Sequence, residues 1–201
     1  ALSVQAAAGR ARVFASIGPS GVMLLMGEVS HDELREAFAE QAAAQAAAGA
    51  DGIVVETMSD PIEARLAVEG AKRTGLPVVA SMVFDSGANK DRTMMGATPE
   101  QAAAVLRDAG ADVVGANCGQ GIAGFAAICR RMRDAAGLPV WIKPNAGLPE
   151  LVDGQAVYRQ TPEEFAAHVP ALIEAGAMFV GGCCGTNPEF VRAIVARIGR
   201  G

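Results

Sequence analysis

A chain of 201 residues that is 51% hydrophobic and only 19% charged can bury a sizeable core, which excludes a disordered segment. Its formal net charge of -5, with no basic cluster, leaves no electrostatic footprint for nucleic acid or an anionic membrane surface, so small-molecule chemistry is expected. Four cysteines, without a leader that joins a basic start to an apolar run and a cleavage site, point to a reducing compartment, the cytoplasm.

In chain order, residues 1–9 read as the tail of a helix already under way. Val13-Phe14-Ala15-Ser16 is the first expected strand. Ser30-His31-Asp32-Glu33 then opens a helix with a capping box, and its alanine-rich stretch over residues 37–50 is too short and too interrupted by Glu40, Gln41 and Gln45 to span a membrane. A phrase recurs three times: a helix closing in Ala-Gly-Ala, an apolar strand, and a polar end. It leads into Ile53-Val54-Val55-Glu56, into Val113-Val114 and into Met178-Phe179-Val180, where glycine after the last helical turn acts as a C-cap signal and the apolar runs suit strands covered on both faces. Two more strands, Val78 to Met82 and Val140 to Lys143, are each entered through Gly-Leu-Pro. Further helix starts carry the same signature at Asp60-Pro61-Ile62-Glu63, Thr98-Pro99-Glu100-Gln101 and Thr161-Pro162-Glu163-Glu164, and Asn187-Pro188-Glu189 opens the last helix without the full box.

Six βα units fit either an open doubly wound α/β sheet or part of a closed barrel. The polar strand ends favour the barrel. Ser16-Ile17-Gly18-Pro19, Glu56-Thr57, Phe84-Asp85, Asn117-Cys118, Lys143-Pro144-Asn145 and Cys183-Cys184 all follow strands, so they converge on one rim, where (β/α)8 TIM barrels place their chemistry. No glycine-rich phosphate loop follows the first strand, as a dinucleotide fold would require. A complete barrel has eight strands in about 250 residues. Residues 1–201 are therefore expected to be barrel units three to eight, with the first two βα units absent from this sequence and a partner segment needed to cover the exposed strand edges.

Cys183 and Cys184 lie in a glycine frame, Gly181-Gly182-Cys183-Cys184-Gly185, and Cys118 lies in another, Gly115-Ala116-Asn117-Cys118-Gly119. Neighbouring residues of a strand point to opposite faces, so an adjacent pair of thiols meets one ion only where the strand has ended. Three thiolates with one exchangeable position make a zinc arrangement suited to catalysis. The alternatives are small core residues or a strained disulfide. Cys129, in an apolar helical stretch, is expected in the core. A zinc hydrolase would need a base beside its metal water, and the two histidines, His31 and His168, fall in expected helices with surface or capping roles. Asp85, Asn89, Lys90 and Asp91 form a polar loop that either gates the rim or is simply solvated, and Tyr158 has no assigned role.

These segments resemble the homocysteine S-methyltransferase family, which includes the homocysteine-binding barrel of cobalamin-dependent methionine synthase and betaine-homocysteine methyltransferase. The likeness runs through Ala15-Ser16-Ile17-Gly18-Pro19, Ile53-Val54-Val55-Glu56-Thr57-Met58, Val113-Val114-Gly115-Ala116-Asn117-Cys118, Lys143-Pro144-Asn145-Ala146-Gly147 and Gly181-Gly182-Cys183-Cys184-Gly185-Thr186. It spans essentially the whole chain. The resemblance implies a zinc held by Cys118, Cys183 and Cys184, with the sulfur of homocysteine at the open position and Asn145 as the resting fourth ligand. It implies that Glu56 receives the substrate amino group and that the backbone at Gly115 approaches the ligand. Residue chemistry alone leaves Asn145 equally explained as a turn former, Glu56 as a loop cap and Gly115 as a packing glycine. The family's Asp-Gly-rich loop after the first barrel strand and its Asn-Thr-Phe-like segment after the second are not in this sequence. The implied activity is methyl transfer to homocysteine, giving methionine, with no catalytic side chain beyond the zinc site. The wording of residues 115–121 is closest to the cobalamin-linked branch, which implies methylcobalamin on a separate corrinoid domain or protein. Betaine or S-methylmethionine as donor, and a barrel fragment merely stapled by zinc, are the alternatives.

Overall fold

The structure, a computed structural model, describes residues 1–199. The last two residues of the expected 1–201 unit lie outside the described residues. In chain order the elements are α1 (Leu2–Ala7), β1 (Phe14–Ile17), α2 (His31–Ala47), β2 (Gly52–Met58), α3 (Pro61–Lys72), β3 (Val78–Met82), α4 (Pro99–Asp108), β4 (Val113–Cys118), α5 (Phe125–Ala136), β5 (Val140–Pro144), β6 (Glu150–Val152), β7 (Gln155–Val157), α6 (Pro162–Ala166), α7 (Val169–Glu174), β8 (Ala177–Val180) and α8 (Pro188–Ile198). All six expected strands are present. No described helix is long and apolar enough to cross a membrane.

The main sheet has the order β1-β2-β3-β4-β5-β8, and every pairing in it is parallel. The order never reverses, unlike that of a doubly wound sheet, which has a switch point. The sheet also curls. Glu56 on β2 and Lys143 on β5 stand three strands apart, about 14 Å in a flat sheet at the usual strand spacing. Their side chains nevertheless meet at 3.0 Å. Phe14 on β1 likewise reaches the Trp141 ring on β5, with centroids 5.9 Å apart, and Trp141 packs on Phe179 of β8 at 5.3 Å. One face of the sheet therefore looks into a concave interior, while the other carries the helices.

Strand alternation sorts the residues between these faces. Ile53 and Val55, Val78 and Ala80, Val114 and Ala116, and Val140 and Ile142 are buried against the helix layer with Leu66, Leu106, Ile128 and Met132. Cys129 belongs to this core, fully buried as expected. Helices α2 and α3 approach so closely that a Cβ at Gly70 would stand 2.9 Å from both Arg35 O and Ala39 N. Glycine is the residue that permits this contact, and its helix-propensity cost of about 1 kcal/mol is offset by packing.

Helix starts follow the sequence closely. Ser30, Thr98 and Thr161 each form the full reciprocal box with Glu33, Gln101 and Glu164. At Asp60 the structure departs from the expected box: the Asp60 side chain accepts from Ile62 N, and Glu63 turns away to the loop after β1, where it accepts from Ser20 N at 2.7 Å and from Ser20 Oγ. Glu63 is only 6% exposed, so it ties that loop to the rim from a buried position. His168 lies between α6 and α7 rather than within a helix. The break has a plain cause, since Pro170 cannot donate to the carbonyl four residues earlier and its ring would crowd it. The β6–β7 hairpin was not expected. It turns at Asp153-Gly154, with φ of 50° and 76°, and this dipeptide is the sequence signal for such a turn.

Between α4, α5 and the loop after β3, Arg131 joins Glu100 with two hydrogen bonds of 2.5 and 2.8 Å and Asp91 with one of 2.6 Å. Arg131 holds the Glu100 carboxyl at about 2, against an ordinary 4.5. Asp91 of the polar loop is thereby anchored.

Two predictions arise from these ties. Glu63→Ala strands the Ser20 N–H and is expected to cost about 1–3 kcal/mol of stability in urea unfolding, whereas Glu63→Gln, which keeps an acceptor, costs less. For Glu100, the folded value lies below the unfolded one, so its contribution is complete above pH 4.5 and fades as pH falls towards about 2. Because the side chain is 44% exposed, that contribution is held to about 1 kcal/mol or less. Arg131→Gln should flatten stability over this pH window, read from denaturation curves between pH 5 and 2.

Candidate metal centre

Two strand ends and one loop build the cysteine cluster. Cys118 is the last residue of β4 and adopts φ 63°, which swings the chain out of the strand. Cys183 and Cys184 follow the end of β8 in a loop that runs alongside the end of β5. This loop is fixed by hydrogen bonds from Gly181 N to Ile142 O, Cys183 N to Pro144 O and Ala146 N to Cys184 O, of 2.9, 2.8 and 3.0 Å. The strand has ended before the adjacent pair, so both thiols can turn to one point.

The three Sγ atoms lie within 4.8 Å of one another, and Cys118 and Cys184 are 3.9 Å apart. Thiolates about 2.3 Å from a tetrahedral zinc stand about 3.8 Å from each other, so this donor set fits such an ion in both chemistry and spacing. The group contains no histidine and no carboxylate. All four cysteines are free thiols, so no disulfide joins the pair. Within the cluster, hydrogen bonding from Cys118 lowers Cys183 to about 5 against the opposing effect of burial, with the Asn117 amide helping. The Cys118 thiol is pushed up because it keeps its proton for Cys183 and because it is partly buried.

Beneath the thiols lies a buried amide. Asn117 is fully buried; its Oδ1 accepts from Thr57 N and Ser81 Oγ, both at 2.8 Å. Its Nδ2 donates to Thr57 Oγ1 at 2.7 Å and to Cys183 Sγ at 3.7 Å. Thr57 has φ 63°, an uncommon conformation for a β-branched residue, and the Asn117 side chain holds both its N–H and its hydroxyl. One amide therefore connects the ends of β2, β3 and β4 to the metal-side loop.

Asn145 is 6% exposed and engaged on both sides: Oδ1 accepts from Cys184 N at 3.0 Å, and Nδ2 donates to Gly119 O at 2.9 Å. Glu56 points into the concave interior, accepting from Ser16 Oγ at 2.8 Å and from Lys143 Nζ at 3.0 Å. Gly115 faces Trp141, whose carbonyl oxygen would collide with a Cβ at that position, so glycine is required for this strand pairing. Tyr158 packs near the cluster, and burial together with the neighbouring Cys184 raises its hydroxyl.

Asn117, Ser81, Thr57, Ser16 and Lys143 are the site residues that sequence reasoning did not assign. Their signal was present, since each occupies an interior-facing or terminal position of a strand ending at the rim. Polar residues there break the apolar runs of strands otherwise covered on both faces.

Comparisons with known proteins agree with this geometry. A profile of the family described as Homocysteine S-methyltransferase matches residues 1–198. A methionine synthase of Mycobacterium leprae (strain TN) is 32% identical over 195 residues, which is 94% of this chain and 16% of that protein. One from Mycobacterium tuberculosis (strain ATCC 25618 / H37Rv) is 32% identical over 193 residues, 92% of this chain and again 16% of that protein. The chain thus spans about one sixth of the length of these relatives. Among solved structures, the apo form of the homocysteine methyltransferase MmuM from Escherichia coli superposes with a TM-score of 0.71 at 22% identity, covering 90% of this chain and 61% of that one. Its metallated form gives 0.69 at 24% identity, covering 98% and 64%. The likeness in fold identifies the curled six-stranded sheet as part of a (β/α)8 TIM barrel, not closed within the described residues. The chain belongs to the homocysteine S-methyltransferase family.

Proposed function

We propose that this chain holds one zinc ion through Cys118, Cys183 and Cys184 and transfers a methyl group to the thiol of homocysteine, giving methionine. The observation that carries this reading is the gathering of three thiols at the strand-end rim of a chain of this family. Cys118, Cys183 and Cys184 would hold the zinc, which would supply a place for a substrate sulfur and favour its deprotonation near neutral pH, where a thiol alone is a poor nucleophile.

The protein's own part is to hold and orient. Cys118 and the 181–184 loop set the three donors, and Asn117 keeps Cys183 in place. The Oδ1 of Asn145 accepts one hydrogen bond and retains a second lone pair, which suits the role of resting fourth ligand. Glu56 supplies a carboxylate for the substrate ammonium, and the backbone at Gly115, which carries no side chain, is where the ligand approaches the sheet. In the transfer, the sulfur–methyl bond forms as the methyl–donor bond breaks, its electron pair leaving with the donor and the thiol proton passing to solvent. The wording of residues 115–121 supports methylcobalamin as donor, carried by a corrinoid domain or protein. In this reading residues 1–201 are barrel units three to eight, completed by a segment that supplies two more strands.

X-ray absorption with metal analysis tests the reading: one zinc with three sulfur neighbours should gain a fourth on addition of homocysteine. An unchanged shell would leave the cysteines as a structural staple. Cys118→Ala should drop zinc content from one per chain to near zero at micromolar metal. Asn117→Ala should weaken zinc binding about 10- to 100-fold, the usual effect of losing a residue that orients a ligand, as measured by competition with a chelator.

A further inference from the structure

We propose that Lys143 and Glu56 act together as a reader of the amino-acid end of the thiol substrate, with Lys143 taking the carboxylate and Glu56 the ammonium. This rests on the reading of the cysteine cluster as a thiol site given above.

Lys143 is placed next to that cluster by the sheet itself. It pairs in register with Asn117, and the following residue, Pro144, pairs with Cys118 and accepts from Cys183 N at 2.8 Å. Its stem is confined. A Cβ at Gly181 would lie 3.3 Å from Lys143 Cγ, and the Nζ stands 6.0 Å from the Trp141 ring centroid, so packed surfaces aim the ammonium into the barrel interior.

Hydrogen-bond capacity points to a ligand. An ammonium has three N–H donors, and among the described residues Lys143 uses one, to Glu56. The Glu56 carboxylate offers about four acceptor sites and uses two, one for Ser16 and one for Lys143. The pair is mostly withdrawn from water, with side chains 18% and 23% exposed, so charges that approach it are weakly screened.

The chemistry then selects one class. An α-amino acid presents an ammonium and a carboxylate on one carbon, and set against Glu56 and Lys143 it makes an alternating array of four charges. A thiol with only an ammonium satisfies Glu56 but repels Lys143. A thiol with only a carboxylate does the reverse. A neutral thiol leaves the protein's own ion pair intact and gains nothing from it.

Calorimetry on the zinc-loaded protein, paired with the sulfur count at the zinc edge, tests this with three thiols: homocysteine, 3-aminopropane-1-thiol and 4-mercaptobutanoic acid. Wild-type protein should bind homocysteine at least about tenfold tighter than either analogue, the scale expected for a charged hydrogen bond. Lys143→Met should lose about tenfold for homocysteine and erase its advantage over the amine, while Lys143→Arg should retain most of both. Wild-type protein that binds the amine as tightly as homocysteine would overturn the proposal without any variant, as would a folded Lys143→Met protein with the wild-type ratio. The two readings fail differently: if homocysteine joins the zinc shell but the affinities are level, only the Lys143 assignment falls, whereas no added sulfur with any thiol removes the thiol site itself.

Discussion

Parallel pairing in unbroken sequential order is the constraint from which the rest follows. Each strand must be re-entered from the same end, so every carboxyl end arrives at the same rim, and the helices that return the chain are forced to one face. Four successive neighbours of β1 then bend far enough to bring Trp141 against Phe14. The curl converts residues separated by 87 positions, Glu56 and Lys143, into direct partners. Without it the cysteines at the ends of β4 and after β8 would be placed along an edge, and the carboxylate of β2 would have nothing across from it.

Local strain at this rim falls on two residues besides its glycines, and buried hydrogen bonds hold one of them. Thr57, next to last in β2, and Cys118, last in β4, both adopt left-handed backbone conformations, and Asn117 bonds the first and precedes the second. A carboxamide suits this role because it donates and accepts at once: Oδ1 serves the Thr57 amide and the Ser81 hydroxyl, while Nδ2 serves the Thr57 hydroxyl and the Cys183 sulfur. An apolar side chain of equal size would leave several buried groups without partners, each costly in a low-dielectric interior. A single residue thus ties the ends of β2, β3 and β4 to the loop that carries Cys183.

Much of this was legible in the sequence, and for physical reasons. Reciprocal capping is a local interaction within four residues, so Ser30, Thr98 and Thr161 announced their helices, and the apolar runs after Ala-Gly-Ala announced their strands. The glycine-framed cysteines announced thiols freed from their strands, and the fold brings the three Sγ atoms within 4.8 Å of one another. What stayed hidden depends on distant partners. Glu63 looked like a capping residue until the fold brought Ser20 to it from 43 positions away. Lys143 looked like the end of a strand, and only the curvature of the sheet supplies its partner. Asn117 stood inside a recognised motif, yet nothing local distinguishes an amide that holds three strands from one that forms a turn.

The backbone at Cys118 also bears on how this site could change over evolutionary time. A left-handed φ of 63° is unfavourable for most side chains, but asparagine, aspartate and histidine are the non-glycine types that tolerate it best. Aspartate and histidine are also common metal ligands, the first harder than thiolate and the second intermediate. The conformation that bars most substitutions therefore admits two side chains that are themselves metal ligands, and either would keep the backbone at the end of β4 as it is.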